Sequence, residues 1–212
     1  LRQTQLAKKL NYSNSNRFSS YLNDLKNAGL IKEDFTWSIK TSQIAKQAQW
    51  RLSDNYLRFY LKYISPELPA IEGDSCNSAA ILEKMPGIMG LQFENLALSN
   101  RTLIIEALGI NPAEVERDNP YFQKTTQKHA RCQIDYLIQT KLNTLFICEI
   151  KFSKREISTD IIEEMQTKIS RLKKPKNVSC IPALIHVNGI TEALEDSHYF
   201  YRTIDFSQLM NH

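Results

Sequence analysis

At 212 residues, with 42% hydrophobic and 24% charged side chains, the chain can hold one large domain or two small ones. No apolar run nears the roughly 20 residues that span a bilayer, and Leu1-Arg-Gln-Thr4 is not a signal peptide, so a cytoplasmic protein without a membrane partner is expected. Charge is uneven: residues 1–65 carry 11 Lys/Arg against 4 Asp/Glu, whereas residues 66–212 carry 16 against 19. Two functional units follow, the first suited to a polyanion or an acidic partner. Cys76, Cys132, Cys148 and Cys180 are scattered without CxxC spacing, which points to buried reduced thiols, and the four histidines lack zinc spacing.

Thr4 to Leu10 reads as a short amphipathic helix with Leu6, Ala7 and Leu10 at helical spacing. After the polar turn Asn11 to Ser15, a second helix starts at Asn16, with Phe18, Tyr21, Leu22 and Leu25 on one face and Gly29 at its C′ position. Leu30-Ile31-Lys32 begins a strand, and Trp37-Ser-Ile39 with Gln49 to Leu52 is expected to supply a wing. An aromatic-rich helix follows, capped by Ser53 or Asp54. Its Tyr56, Phe59, Tyr60 and Tyr63 suit packing better than base stacking. Residues 66–75, rich in proline, read as a linker between a unit at 1–65 and one at 76–212.

The second unit reads as α/β, an α+β chain overall. Helices are expected at 79–84 and 87–108, and strands near 121–125, 131–139 and 144–152. A helix at 158–172, a buried strand at 178–187 and a last strand or helix pair within 199–209 complete it. The cationic run Lys168 to Lys176 suits the negative end of the 158–172 helix, and phosphate tracking is the alternative.

The chemistry concentrates in Asp135 and in Glu149-Ile150-Lys151. If 132–138 and 145–152 form a hairpin centred on Leu142, Asp135 stands across from Glu149, and Lys151 shares their face. Two adjacent carboxylates repel unless a cation or proton sits between them, and a nearby lysine can hold a water or a developing negative charge. That set suits metal-assisted phosphodiester hydrolysis; its bland alternative is a surface ion-pair ladder.

Ile134-Asp135 followed by Glu149-Ile150-Lys151 resembles the D…ExK core of the PD-(D/E)XK restriction-endonuclease-like superfamily. The resemblance implies a mixed sheet flanked by helices, with Mg²⁺ or Mn²⁺ held by Asp135 and Glu149, optionally with the Ile150 carbonyl. Lys151 would assist the attacking water. It also implies Glu94, in Gly90-Leu-Gln-Phe93-Glu94, as a further acid for catalysis and the metal, with Gln166 and Lys168 as auxiliary polar residues. The proline that often precedes the first motif Asp is replaced by Gln133-Ile134.

Leu6-Ala-Lys-Lys-Leu10 with Tyr21-Leu-Asn-Asp-Leu25 and Gly29-Leu-Ile31 resembles the helix-turn-helix of prokaryotic winged-helix domains. The second helix of such folds enters the DNA major groove, which here implies DNA contact by Asn14, Ser15, Asn16, Arg17, Ser19, Ser20 and Asn23. Winged helices also serve as protein–protein modules, and that reading stays open. The order winged helix, Arg51-Leu-Ser-Asp-Asn-Tyr-Leu-Arg-Phe-Tyr60, Gly-x-x-Phe-Glu, Ile-Asp and Glu-Ile-Lys resembles the C-terminal region of a prokaryotic AAA-type ATPase family. That implies an N-terminal P-loop ATPase partner outside this chain, which has no GxxxxGK[ST] and therefore no ATP site. The leading expectation is a Mg²⁺-dependent, DNA-directed nuclease module. The alternatives are a non-catalytic regulatory module with a vestigial metal site, and a winged-helix regulator whose α/β domain senses a partner. The oligomeric state is open.

Overall fold

The protein is described here from a computed structural model covering residues 1–13, 15–46, 48–127 and 129–210, without the side chains of Lys84 and Pro86. Two compact units emerge: Leu1–Asp34 with Lys46–Asn95, and Phe35–Ala45 with the residues from Leu96 onward.

In the first unit, α1 (Gln3–Lys9) and α2 (Asn16–Asn27) precede the antiparallel pair β1 (Ile31–Asp34) and β2 (Gln49–Leu52). Phe18 and Leu22, one turn apart on α2, pack with Ala7 and Trp50 into a small core. Ser15 caps α2 by accepting from the Phe18 N–H. Beyond its last turn Gly29 takes φ +76°, a conformation glycine enters without a Cβ clash. Asp54 caps α3 (Asn55–Phe59), which continues as a π-turn over Tyr60–Ile64. In this stretch Tyr63 is buried whereas Tyr56 is exposed and stacks on Tyr60. Residues 66–75, expected as a linker, are largely helical: a 3-10 turn at Ser65–Glu67 leads into α4 (Leu68–Glu72). Pro66 and Pro69 each stand in a first turn, where a missing N–H costs nothing. Next come α5 (Ser78–Lys84) and α6 (Pro86–Ser99). Buried Asn95 donates to the carbonyls of Leu52 and Ser53 and accepts from Arg51, which also pairs with Asp34 at 2.5 Å.

One continuous helix was expected over 87–108, but Asn100 ends α6 by turning its amide back onto the Leu96 carbonyl at 2.8 Å, and α7 (Arg101–Ala107) starts afresh.

The second unit is a five-stranded mixed sheet in the order β3 (Val115–Gln123), β4 (Cys132–Thr140), β5 (Thr144–Lys151), β6 (Ser179–His186) and β7 (Arg202–Asp205). The first three strands run antiparallel, and β5–β6 and β6–β7 are parallel. A parallel pair needs a crossover, which α8 (Asp160–Arg171) supplies between β5 and β6. Short helices α9 (Glu192–Asp196) and α10 (Phe206–Leu209) bracket β7. The fold class is thus mixed α/β, as the alternation of elements predicts. Ile161 and Met165 of α8 bury against Leu137, Leu145, Ile147 and Leu184 on one face of the sheet. On the other face, Arg101 of α7 lies over the Tyr136 ring, 5.8 Å from its centroid. Among the described residues no helix is long and apolar enough to cross a membrane.

Trp37-Ser-Ile39, expected with Gln49 to Leu52 in a wing, is not in the two-stranded sheet of β1 and β2. Phe35–Ala45 belongs to the second unit, where Trp37 is buried and donates its indole N–H to Gln139 at 2.5 Å. Gln139 in turn donates to the Ile39 carbonyl, and Asn119 to the Phe35 carbonyl. Long-range polar anchors on β3 and β4 therefore override the local strand propensity of this segment.

Because Met165 is almost fully buried and Gln166 exposed, truncation separates the two faces of α8. Met165→Ala is expected to cost about 2–5 kcal/mol in denaturant unfolding, the range for a large core side chain. Gln166→Ala should fall within about 0.5 kcal/mol of the natural protein.

Candidate metal centre

The site begins with a defect in the sheet. Pairing of β3 with β4 moves from Asn119↔Leu137 to Tyr121↔Ile134, so Asp135 and Tyr136 together oppose the single residue Pro120. Proline has no N–H to give the ladder, and two residues against one is a β-bulge. On its other side β4 pairs with β5 from Gln139↔Leu145 to Tyr136↔Cys148, a register centred on Leu142 as the hairpin predicts. The turn closes through Asn143 at φ +56°, a left-handed position asparagine tolerates. Beyond Cys148 the Asp135 carboxylate takes over from the strand backbone: its Oδ2 accepts the Ile150 N–H at 3.1 Å. The bulge thus re-aims Asp135 at the C-terminal end of β5.

Alternation along β5 places Glu149 and Lys151 on the face covered by α8. The Glu149 side chain is 4% exposed. Lys168 of α8 sets its ammonium against Glu149 Oε2 in a short contact and lies 4.0 Å from Asp135 Oδ1. Lys151 Nζ lies 3.5 Å from Glu149 Oε1 and 2.7 Å from Glu164 Oε2. Two carboxylates therefore share one ammonium between them, with a second on the flank.

The electrostatics follow from burial first. Loss of water pushes the Glu149 carboxyl above the ordinary glutamate value, and the Asp135 charge pushes it the same way. Lys168 and Lys151 pull it back only in part. Burial opposes the charge on Lys151, but Glu164, Glu149 and Asp135 outweigh it and leave its ammonium above the ordinary lysine value. Beneath the pair, burial and the same two carboxylates push the Cys148 thiol up, so it stays protonated and inert.

The donor chemistry fits a hard divalent cation. Asp135 and Glu149 present oxygens within reach of one positive centre, and the buried Glu149 gains from any added positive charge. Among the described residues no group of three or more His, Cys, Asp or Glu side chains gathers into a metal-holding cluster. Protein carboxylates would thus supply two ligands here, leaving the other positions to water, backbone and substrate oxygens.

Asp135, Glu149, Lys151 and Lys168 come together. Gln166 is exposed and two residues from Lys168, hence about 160° away around the helix. Glu94 lies on α6 in the first unit, where its charge raises the Arg58 pKa that burial and Arg51 lower. On α2, Asn16, Arg17, Ser20 and Asn23 are exposed, with Ser15 occupied as the cap. Arg17 leans on Tyr21, donating to its hydroxyl at 2.8 Å, and Ser19 accepts from Gln3. Asn14 lies outside the described residues. Sequence reading missed Glu164, which holds Lys151, although Glu164 and Lys168 at i and i+4 mark the face of α8 that meets the site. It also missed His186, a buried residue paired in register with Lys151 across β5 and β6.

No protein-family model matches the chain, and no curated protein matches it in sequence. Among solved structures it is similar to the crystal structure of a repair endonuclease from Pyrococcus abyssi, at 16% identity and a TM-score of 0.34. The match takes in 52% of this chain and 42% of that one, a level of likeness that decides neither fold nor activity.

A carboxyl whose folded pKa lies above its unfolded value costs stability once it is ionised, and the cost vanishes below the unfolded value of about 4.3. In EDTA, Glu149→Gln should therefore raise the Tm at pH 7, and the gain should shrink as the pH falls toward 4. Thermal unfolding across that range checks both the sign and the window.

Proposed function

We propose that the second unit is a divalent-metal-dependent nuclease module acting on DNA, and that the first unit contributes DNA contacts through α2. The convergence of Asp135 and Glu149 on one cationic point, with Lys151 beside them, carries the reading. It agrees with what the D…ExK resemblance implies for these same residues.

Asp135 and Glu149 would hold Mg²⁺ or Mn²⁺, and the bulge at Pro120 keeps the first of them aimed there. When bound, such an ion supplies a Lewis acid for the phosphate and a water acidified enough to attack near neutral pH. Lys151 neutralises charge developing on the phosphate oxygens, and Glu164 fixes the position of its ammonium. Lys168 offsets the charge of the two carboxylates. On α2 the exposed set Asn16, Ser20 and Asn23 lies along one face, with Arg17 beside it, a placement suited to phosphates and base edges. The sequence order further supports work as the C-terminal part of an AAA-type ATPase, with the P-loop domain as its partner.

One observation favours a second reading. Lys168 and Lys151 already neutralise Asp135 and Glu149, so the pair is satisfied as an ion-pair network of a non-catalytic regulatory or interaction module.

Metal titration separates the two. The nuclease reading requires Mn²⁺ to bind and stabilise the protein, by about 2.7 kcal/mol at a free concentration 100 times Kd, and Asp135→Asn to abolish the gain. The network reading requires no stabilisation in either protein. With plasmid and single-stranded DNA, Lys151→Ala should slow Mn²⁺-dependent cleavage by about 10²–10³, the scale of one lost transition-state charge contact. Cleavage equal to that of the natural protein would exclude Lys151 from the chemistry. DNA binding should weaken steeply with salt, and Arg17→Ala should lower the slope of log K against log[salt] by about 1.

A further inference from the structure

A concavity of about 460 Å³ is lined wholly by residues of the second unit. Trp37, Ser38, Ile39 and Lys40 line it from the Phe35–Ala45 segment, Tyr121 from β3, and Lys173, Lys174 and Pro175 from the stretch after α8. Among the described residues that line it none is acidic, and three are lysines, of which Lys174 also bonds the Cys180 thiol. Trp37 and Tyr121 meet edge to face at 5.2 Å and form an apolar floor, both almost fully buried.

The walls are fixed independently of any ligand. An isolated bridge pairs Trp37 with Ile44, and Gln139 holds both the Trp37 indole and the Ile39 carbonyl. Across the opening, Gln123 accepts the Lys173 N–H at 2.7 Å and donates to the Arg171 carbonyl at 2.8 Å, which sets the lysine-bearing turn. A helix end explains cations at Lys168 and Arg171, but it explains neither Lys40 nor an aromatic floor facing it across the same hollow. Lys40 and Lys173 are exposed, so their charge costs no burial and awaits an anion at the rim.

Apolar floor, cationic rim and volume together select a small ligand with a planar apolar part and a phosphate. We propose that this pocket binds one nucleoside monophosphate unit, its base against the Trp37, Ile39 and Pro175 walls and its phosphate at Lys40, Lys173 and Lys174. The unit can be a free nucleotide or one residue of a single strand, and both present the same chemistry. Binding here needs neither Asp135 nor a divalent ion, so it stands apart from the nuclease reading.

Calorimetry in EDTA tests it, with dAMP, deoxyadenosine and inorganic phosphate as separate probes. dAMP should bind saturably, and each fragment at least about tenfold more weakly, since each lacks one of the two recognised parts. Lys173→Glu/Lys174→Glu on one wall and Lys40→Glu on the other should each weaken dAMP by more than about tenfold, with circular dichroism unchanged. Asp135→Asn should bind dAMP as the natural protein does, which keeps this result separate from any loss of cleavage. Displacement of dAMP by a 5′-phosphorylated oligonucleotide identifies a strand as the source, and failure to displace identifies the free nucleotide. The proposal is overturned if dAMP shows no saturable binding, if inorganic phosphate binds as tightly, or if the charge-reversed proteins retain full affinity.

Discussion

Two carboxylates held side by side in a place nearly closed to water dominate this molecule. Ionisation of Glu149 is disfavoured there, because burial and the neighbouring Asp135 charge act on it in the same direction. The surroundings answer with positive charge from two elements, Lys151 on β5 and Lys168 on α8, and with a backbone N–H from Ile150. Lys151 and Ile150 belong to β5 and Lys168 to α8, so the site ties the sheet to its crossover helix. A hydrophobic substitute for the whole network would fold at least as well by the usual energetics of buried ion pairs. Stability alone therefore does not account for a charged network at the end of this strand.

The bulge at Pro120 shows how the backbone serves this arrangement. An uninterrupted β4 would keep strict alternation and pass its ladder on to Ile150 through main-chain groups. With two residues opposing one, β4 changes phase: Cys132 and Ile134 enter the same core as Leu137 despite the odd spacing between Ile134 and Leu137. Asp135 is freed from the ladder, and its carboxylate becomes the acceptor that the Ile150 N–H would otherwise lack. A proline on an edge strand tolerates this because its partner-facing deficit is local and β3 has no further neighbour.

What was legible in the sequence was periodic or local. The hairpin centre at Leu142, the sides taken by Glu149 and Lys151, the polar turn that opens α2 and the cap at Asp54 all depend on spacing along the chain. What was not legible depends on partners far apart in sequence. Trp37 reads as strand-like in its own window, and partners far along the chain, Gln139 at 102 residues among them, decide where it lies. Glu164 reads as one more charge on a helix until Lys151 meets it. Asn100 carries a local signal for a helix end that the apolar flanks on both sides obscured. Glu94 and Gln166 were assigned by resemblance alone, without a spacing that ties them to Asp135, and Gln166 stands on the exposed side of α8.

The two readings of the carboxylate pair differ in one physical respect, the cost of moving an ammonium. Lys151 is held at two points, by Glu149 and by the exposed carboxylate of Glu164, so its head group is positioned even if Glu149 turns to another partner. Lys168 pairs with the two carboxylates that a metal would need, and its side chain is partly open to solvent. A lysine stem has four rotatable carbons and a strongly hydrated head, so release of Lys168 toward water is inexpensive compared with stranding a buried carboxylate. The asymmetry leaves Lys151 as the fixed cation and Lys168 as the exchangeable one. The proposed metal site would use that difference, because a divalent cation would enter where Lys168 leaves, whereas the network reading has no use for it.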